Sequence, residues 1–234
     1  MSQKIIFTDT TGIMPVEVHP YPCAKDLPDW YKKTESYVNG LKKPDGLGGT
    51  TASIKKCVPV FDAITAGYLI PLPADVYVSL QEIKGEKKQW FEWASFELIS
   101  FHPISQAPNH PMRNEHPYAK FNNPWSITTP KGFSSLIVQP FHRSSPFTIL
   151  PGIVDTDSYH VPVNFPFVIN DPSFEGIIEK GTPIAQVIPI KRENWEMTQG
   201  GAKEIDAFQK MKIQIRSRFF DAYKKQAWTR KEYK

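Results

Sequence analysis

Cysteine is almost missing from this chain of 234 residues: Cys23 and Cys57 are the only two. Two thiols make no metal-ligand pattern; a disulfide between them stays open, and the plain expectation is reduced thiols in a cytoplasmic protein. Long hydrophobic runs are missing too. The longest fall far short of the roughly 20 residues that a membrane helix needs, so no membrane partner is expected. Met1-Ser2-Gln3-Lys4 is followed only by Ile5-Ile6-Phe7, too short an apolar stretch for a signal peptide. Helix-compatible stretches are scarce because 22 prolines interrupt the chain, which favours short strands and loops.

What is present is the composition of a globular protein, 40% apolar and 13% aromatic, long enough to bury a sizeable core. The formal charge of +4 is uneven. From Gly201 onward ten Lys/Arg stand against four Asp/Glu, a net +6, so the rest of the chain carries −2. Ala202 to about Gln226 is the one long helical pattern, with Ile205, Phe208, Lys212, Ile215, Phe219 and Ala222 in one stripe. Its basic residues fit contact with nucleic acid or a membrane surface, or simply a solvated outer face on a helix packed against the body.

Asp75–Ile83 and Trp90–Phe96 alternate as two strands joined through Gly85-Glu86-Lys87-Lys88, the clearest hairpin. Large aromatics on both parities of the second strand imply burial on both faces or one face kept for a partner. Trp125–Thr129 and Ser134–Gln139 read as another hairpin, turned by Pro130-Lys131-Gly132. Asp29 is placed to cap a short helix through Lys33. Residues 102–125 are irregular and proline-rich. Their histidines, His102, His110 and His116, with Glu115 nearby, are candidate ligands for zinc or non-haem iron, although the spacing fits no metal motif.

The stretch from Gln139 to Arg192 organises the rest. Tyr159, Val161, Val163, Phe165 and Phe167 share one parity, the pattern of a strand with one buried face. Pro162 and Pro166 on the other parity point to an edge strand or a bulge. Arg143-Ser144-Ser145 and Asp155-Thr156-Asp157 are polar turns flanking apolar runs. Glu179-Lys180-Gly181 turns the chain into a further strand through Ile184, Val187, Ile188 and Ile190.

These pieces, in order, resemble the dUTPase and dCTP deaminase family: Ala66-Gly67-Tyr68-Leu69, then Arg143-Ser144-Ser145, then Gly152-Ile153-Val154-Asp155, then Gly181-Thr182-Pro183-Ile184-Ala185-Gln186. The resemblance covers about residues 63–192. It implies a mainly β chain with a β-clip barrel, to which the residues outside the resemblance add an N-terminal proline-rich arm and one C-terminal amphipathic helix. The corresponding segments are 1–52 for the arm with its short helix, 53–195 for the barrel including loop 102–125, and 196–234 for the basic helix. It also implies that Arg143, Ser144 and Ser145 meet phosphates, that Asp155 (or Asp157, should register shift) holds the sugar or a catalytic water, that Tyr159 stacks on the sugar, and that Gln186 supports a neighbouring strand. Mg²⁺ enters only with a bound nucleotide, since no protein-supplied cage is visible; otherwise the cofactor is open.

The departures are specific. Leu69 stands where an aspartate follows the tyrosine, one extra residue separates Asp155 from Tyr159, and the glycine-rich arm that closes over phosphates is missing. The strand from His160 to Val168 contains no carboxylate for a deaminase. The chain is also similar to an uncharacterised family found mainly in tailed phages and bacteria, through Leu27-Pro28-x-Trp30-Tyr31, Lys56-Cys57-x-Pro59, Lys120-Phe121-x-Asn123-Pro124-Trp125, Val154-Asp155-Thr156-Asp157 and Asn164-Phe165-Pro166-Phe167. That similarity allows a virion as well as the host cytoplasm.

The reading that follows is a non-catalytic barrel binding a small phosphorylated ligand or nucleotide, as a homo-oligomer. Two others stand beside it: a structural or assembly protein, and a metal-dependent enzyme using the loop histidines.

Overall fold

The computed structural model describes residues 3–45, 50–83, 85–94, 96–106, 110–111, 118–216 and 220–234. The fold is mainly β. In chain order the strands are β1 (Ile6–Asp9), β2 (Tyr21–Pro22), β3 (Tyr68–Pro71), β4 (Val76–Ile83), β5 (Glu86–Trp93), β6 (Ile99–His102), β7 (Tyr118–Phe121), β8 (Trp125–Thr128), β9 (Phe133–Val138), β10 (Phe147–Ile149), β11 (Gly152–Val154), β12 (Phe165–Ile169), β13 (Gly176–Ile178) and β14 (Pro183–Lys191). The α-helices are α1 (Asp29–Lys33), α2 (Val58–Thr65), α3 (Ala202–Arg216) and α4 (Ala222–Gln226).

All strand pairs among the described residues are antiparallel, and they form four sheets: β1-β8, β10-β12-β7-β6, β11-β9-β14-β3-β2 and β13-β4-β5. No sheet among the described residues closes into a barrel. The chain divides into two compact units, one of residues 1–23 and 67–192 and one of 24–66 and 193–234. The expected segment boundaries were instead at 52/53 and 195/196.

The first unit holds the β core. Phe121, Phe147, Phe165 and Phe167 are fully buried, with Phe121 and Phe167 stacked at 4.0 Å between ring centroids. Each such side chain contributes roughly 1.5–3 kcal/mol of burial. Gly67 shows why the Ala66-Gly67-Tyr68-Leu69 pattern has its glycine. Its φ is +71°, and a Cβ there would lie 2.0 Å from the Val187 carbonyl oxygen, where β3 passes β14. No other residue tolerates both conditions. Gly181, at φ +85°, makes the expected turn, with Thr182 N–H donating to Glu179 O.

Several expectations are corrected. The strand proposed from Tyr159 begins only at Phe165; Tyr159 and Val161 are exposed, while Phe165, Phe167 and Ile169 keep the buried parity. That strand, β12, is internal rather than at an edge, lying between β10 and β7. Proline fits because the Pro166 carbonyl accepts from Leu150 N–H, one residue past the end of β10. N and C=O of one residue in an antiparallel strand face the same neighbour, so the missing donor faces the ladder's end. Trp125–Thr128 and Phe133–Val138 do not form a hairpin: β8 pairs with β1, and β9 with β11 and β14. The turn between them exists, but it passes the chain from one sheet to another. The β4–β5 hairpin turns more tightly than expected, with Ile83 opposite Glu86, so Glu86–Lys88 are strand residues. Trp90 is exposed while Phe91 and Trp93 pack against the core. The irregular stretch contains β7, with Tyr118, Ala119 and Phe121 all buried.

The second unit is helical. Pro28, not Asp29, occupies the cap position of α1, and Asp29 is its first residue, paired with Lys32 at 2.9 Å. Tyr31 is buried and its hydroxyl donates to Lys55 O. Helix α2 was not foreseen. Its Asp62 accepts from Trp228 Nε1 at 3.0 Å and pairs with Lys231 at 2.6 Å, tying the C-terminal residues to it. The single long C-terminal helix is two helices, because Asp221 adopts a left-handed conformation at φ 59° immediately before α4. Asp221 pairs with Lys56 at 2.9 Å. Phe219 lies outside the described residues.

Candidate functional site

Strand β9 carries the candidate residues of the first unit on turns at its two ends. At its first end, the β8–β9 turn and the turn after β11 meet. Val154 of β11 pairs with Ser135, so Asp155 falls beside Ser134, whose hydroxyl donates to Asp155 Oδ1 at 2.6 Å. Gly132 N–H donates to Asp157 Oδ2 at 2.8 Å. The Thr156 hydroxyl, fully buried, is bonded to Thr129 Oγ1 at 2.8 Å and to Ser135 Oγ at 2.9 Å. These three side chains form a satisfied hydroxyl cluster beneath the carboxylates, as buried polar groups require.

Arg192, at the end of β14, completes the arrangement. Its Nη1 donates to Asp157 Oδ1 at 2.8 Å and its Nη2 donates to Asp157 Oδ2, a bidentate fork. Nη1 also lies 3.2 Å from Asp155 Oδ1 and donates to Phe133 O at 3.1 Å. The Arg192 guanidinium, helped by Gly132 N–H, holds the Asp157 carboxyl down at about 2. Asp157 in turn raises Arg192 above its ordinary value. The Asp157 side chain is 6% exposed and that of Asp155 61%. The arrangement binds β9, β11 and β14 together.

The extra residue between Asp155 and Tyr159 is absorbed by the turn itself. Ser158 N–H and Tyr159 N–H both donate to Asp155 O, at 3.0 and 2.8 Å. The Tyr159 side chain is half exposed.

At the other end of β9 is the turn holding Arg143, Ser144 and Ser145. Gln186 of β14, opposite Val138, is buried and its Oε1 accepts from Phe141 N–H at 2.9 Å, so it fixes this turn from below. Gln139 Oε1 accepts from Ile149 N–H, and His142 takes a positive φ of 56°. Ser144 is exposed, Arg143 and Ser145 are half-buried, and Ser145 Oγ accepts from Phe147 N–H at 3.3 Å. Within one chain, then, Asp155 and Asp157 belong to one end of β9, and Arg143, Ser144, Ser145 and Gln186 to the other. The four residue steps from Ser134 to Val138 span about 13 Å at roughly 3.3 Å each.

His102 and His110 are separately engaged. His102 Nδ1 is bonded to Gln106 Oε1, and the His110 ring meets that of Tyr118 edge-on at 5.9 Å. His116 and Glu115 lie outside the described residues. Among the described residues no three His, Cys, Asp or Glu side chains are placed to hold a metal ion. Cys23 is buried and Cys57 exposed, and no disulfide joins them. No described helix is long and apolar enough to cross a membrane.

Sequence reasoning missed Arg192, Ser134 and the Thr129–Ser135–Thr156 hydroxyls. The available signals were a cation directly after the apolar run of β14 and the hydroxyls of Ser134 and Ser135 at strand positions, where apolar residues usually stand.

No protein-family model matches the chain, and no curated protein matches it in sequence. Among solved structures it is similar to a mutant dUTPase from phage phi11 of S. aureus, a protein described as coordinating a structural Mg(II) ion. The identity is 15%, the TM-score 0.31, and the match covers 59% of this chain and 85% of that one. At those values the site stands on this chain's own residues.

Proposed function

We propose that this chain is a non-catalytic β-clip-type protein that binds a small phosphorylated ligand, a nucleotide in the first instance, through the Arg143-Ser144-Ser145 turn. The observation that carries the reading is the Arg192 fork. A carboxylate that orients an attacking water or a sugar hydroxyl needs its lone pairs for that task. Asp157 gives both oxygens to Arg192, and Asp155 accepts from Ser134 and faces the same guanidinium. Asp157 is spent on holding three strands together, and Asp155 commits its Oδ1 to the same arrangement. The turn at the far end of β9 keeps a guanidinium and two hydroxyls on a loop that Gln186 fixes, and these groups suit phosphate oxygens. Mg²⁺ then arrives on the ligand's phosphates. A thermal-shift titration with nucleoside triphosphates and Mg²⁺ tests this. A ligand at 100 times its dissociation constant stabilises by about 2.7 kcal/mol, and Arg143→Ala is expected to abolish the shift.

A second reading, an assembly subunit, is favoured by Ile153, Tyr159 and Val161, all exposed on or just after the edge strand β11. A chain that remains monomeric with Ile153 and Val161 solvent-accessible to labelling would remove it.

A further inference from the structure

We propose that α3 is a self-pairing helix, through which two copies of this chain associate in antiparallel orientation. This is independent of ligand binding at the Arg143 turn. Helix α3 has 15 residues, and its apolar side chains are in water: Ile213, on another face, is 67% exposed, and along one face Ile205 is 60% exposed, Phe208 57%, Met211 40% and Ile215 39%. At 100° per residue the latter four fall within a sector of about 120°, one continuous stripe. An isolated helix of this length is marginal in water, and proteins rarely leave such a stripe uncovered.

The charges of the helix identify the occupant. Lys203, Glu204 and Asp206 give its first half a net −1, while Lys210, Lys212 and Arg216 give its second half +3. On the side of the stripe stand Glu204 in the first turn and Lys212 in the second half, whereas Asp206 and Lys210 lie on the far side and pair with each other at 2.6 Å. A second α3 running antiparallel brings Glu204 of each copy towards the basic last turn of the other and opposes the two helix dipoles. It also sets Ile205 against Ile215, and Phe208 against Lys212. Lys212 already reaches over the Phe208 ring within one helix, at 5.6 Å, so the same contact is available between two copies. Parallel pairing would stack Lys212 on Lys212 and Glu204 on Glu204.

The test uses the full chain with the exposed Cys57 replaced by serine. Sedimentation velocity over a range of concentrations is expected to show a monomer–dimer equilibrium. Phe208→Lys and, separately, Ile205→Glu are each expected to weaken the dimer by at least about tenfold, the loss of one buried anchor. Both sites are exposed in the single chain, so circular dichroism should be unchanged. Mixing an Ile205→Cys chain with an Ile215→Cys chain under mild oxidation should give a cross-linked heterodimer, and neither chain alone should cross-link. A monomer at every concentration overturns the proposal. So does cross-linking of each single-cysteine chain with itself, which would mean parallel pairing. A monomer that instead sediments with anionic vesicles, and loses this in Phe208→Lys, overturns it in favour of a membrane surface.

Discussion

Arg192 concentrates on one guanidinium what the sequence keeps apart: the fork onto Asp157 and the contact with Asp155 from one turn, and the bond to Phe133 O from another segment. The consequence appears in the pH dependence of stability. Asp157 is held at about 2, against roughly 3.9 for an aspartate in an unfolded chain. A carboxyl whose folded value is depressed stabilises the fold above the unfolded value, and that contribution is lost as pH falls through the folded one. The Tm difference between the natural chain and Asp157→Asn is therefore expected to be widest above about pH 4 and to close towards pH 2. A constant gap across that range would show that Asp157 is not ionised in this contact. Gly67 makes a second prediction at this scale. Gly67→Ala must leave φ +71° or push Val187 O away, so it should cost at least about 1–3 kcal/mol in chemical denaturation.

Elements divide into those the sequence shows and those only the tertiary structure decides. The β4–β5 hairpin and β14 were legible because alternation and a glycine turn are local signals. So was the parity of Phe165 and Phe167, although the strand's start was not: Tyr159 and Val161 alternate as well as their successors but have no ladder partner. The supposed β8–β9 hairpin failed for the opposite reason. Its turn chemistry is right, yet β1 supplies a partner for β8 from more than a hundred residues away, and no local pattern carries that. Strand β7 was hidden because its four residues follow a proline-rich stretch without alternation. The break between α3 and α4 was invisible because Phe220, Ala222 and Tyr223 continue a helical stripe, while Asp221 takes the left-handed conformation and pairs with Lys56. The Lys56 ammonium holds the Asp221 carboxyl below the usual carboxylate range. A double-mutant cycle with Lys56→Met and Asp221→Asn is expected to give a coupling of about 1 kcal/mol near neutral pH. The coupling should fade as pH falls and Asp221 protonates; one that persists at acid pH would contradict the ion pair.

For the whole molecule, the candidate site was half legible. Arg143, Ser144, Ser145, Asp155, Asp157, Tyr159 and Gln186 were visible as polar residues on turns or in an apolar strand. That Asp155 and Asp157 sit at the opposite end of β9 from the Arg143 turn follows from strand register, and that Arg192 occupies them follows from where β14 ends. The central claim, that the carboxylates serve the structure and the Arg143 turn serves a ligand, is tested most directly by one assay on three chains. The natural protein, Arg143→Ala and Asp155→Asn are incubated with Mg²⁺ and dUTP or dCTP, and bound nucleotide, pyrophosphate and ammonia are measured together. The account predicts binding in the natural protein and in Asp155→Asn, its loss in Arg143→Ala, and no product from any chain. Turnover above about 0.1 per second, below the usual enzyme range, that disappears in Asp155→Asn would contradict it and make Asp155 a catalytic residue.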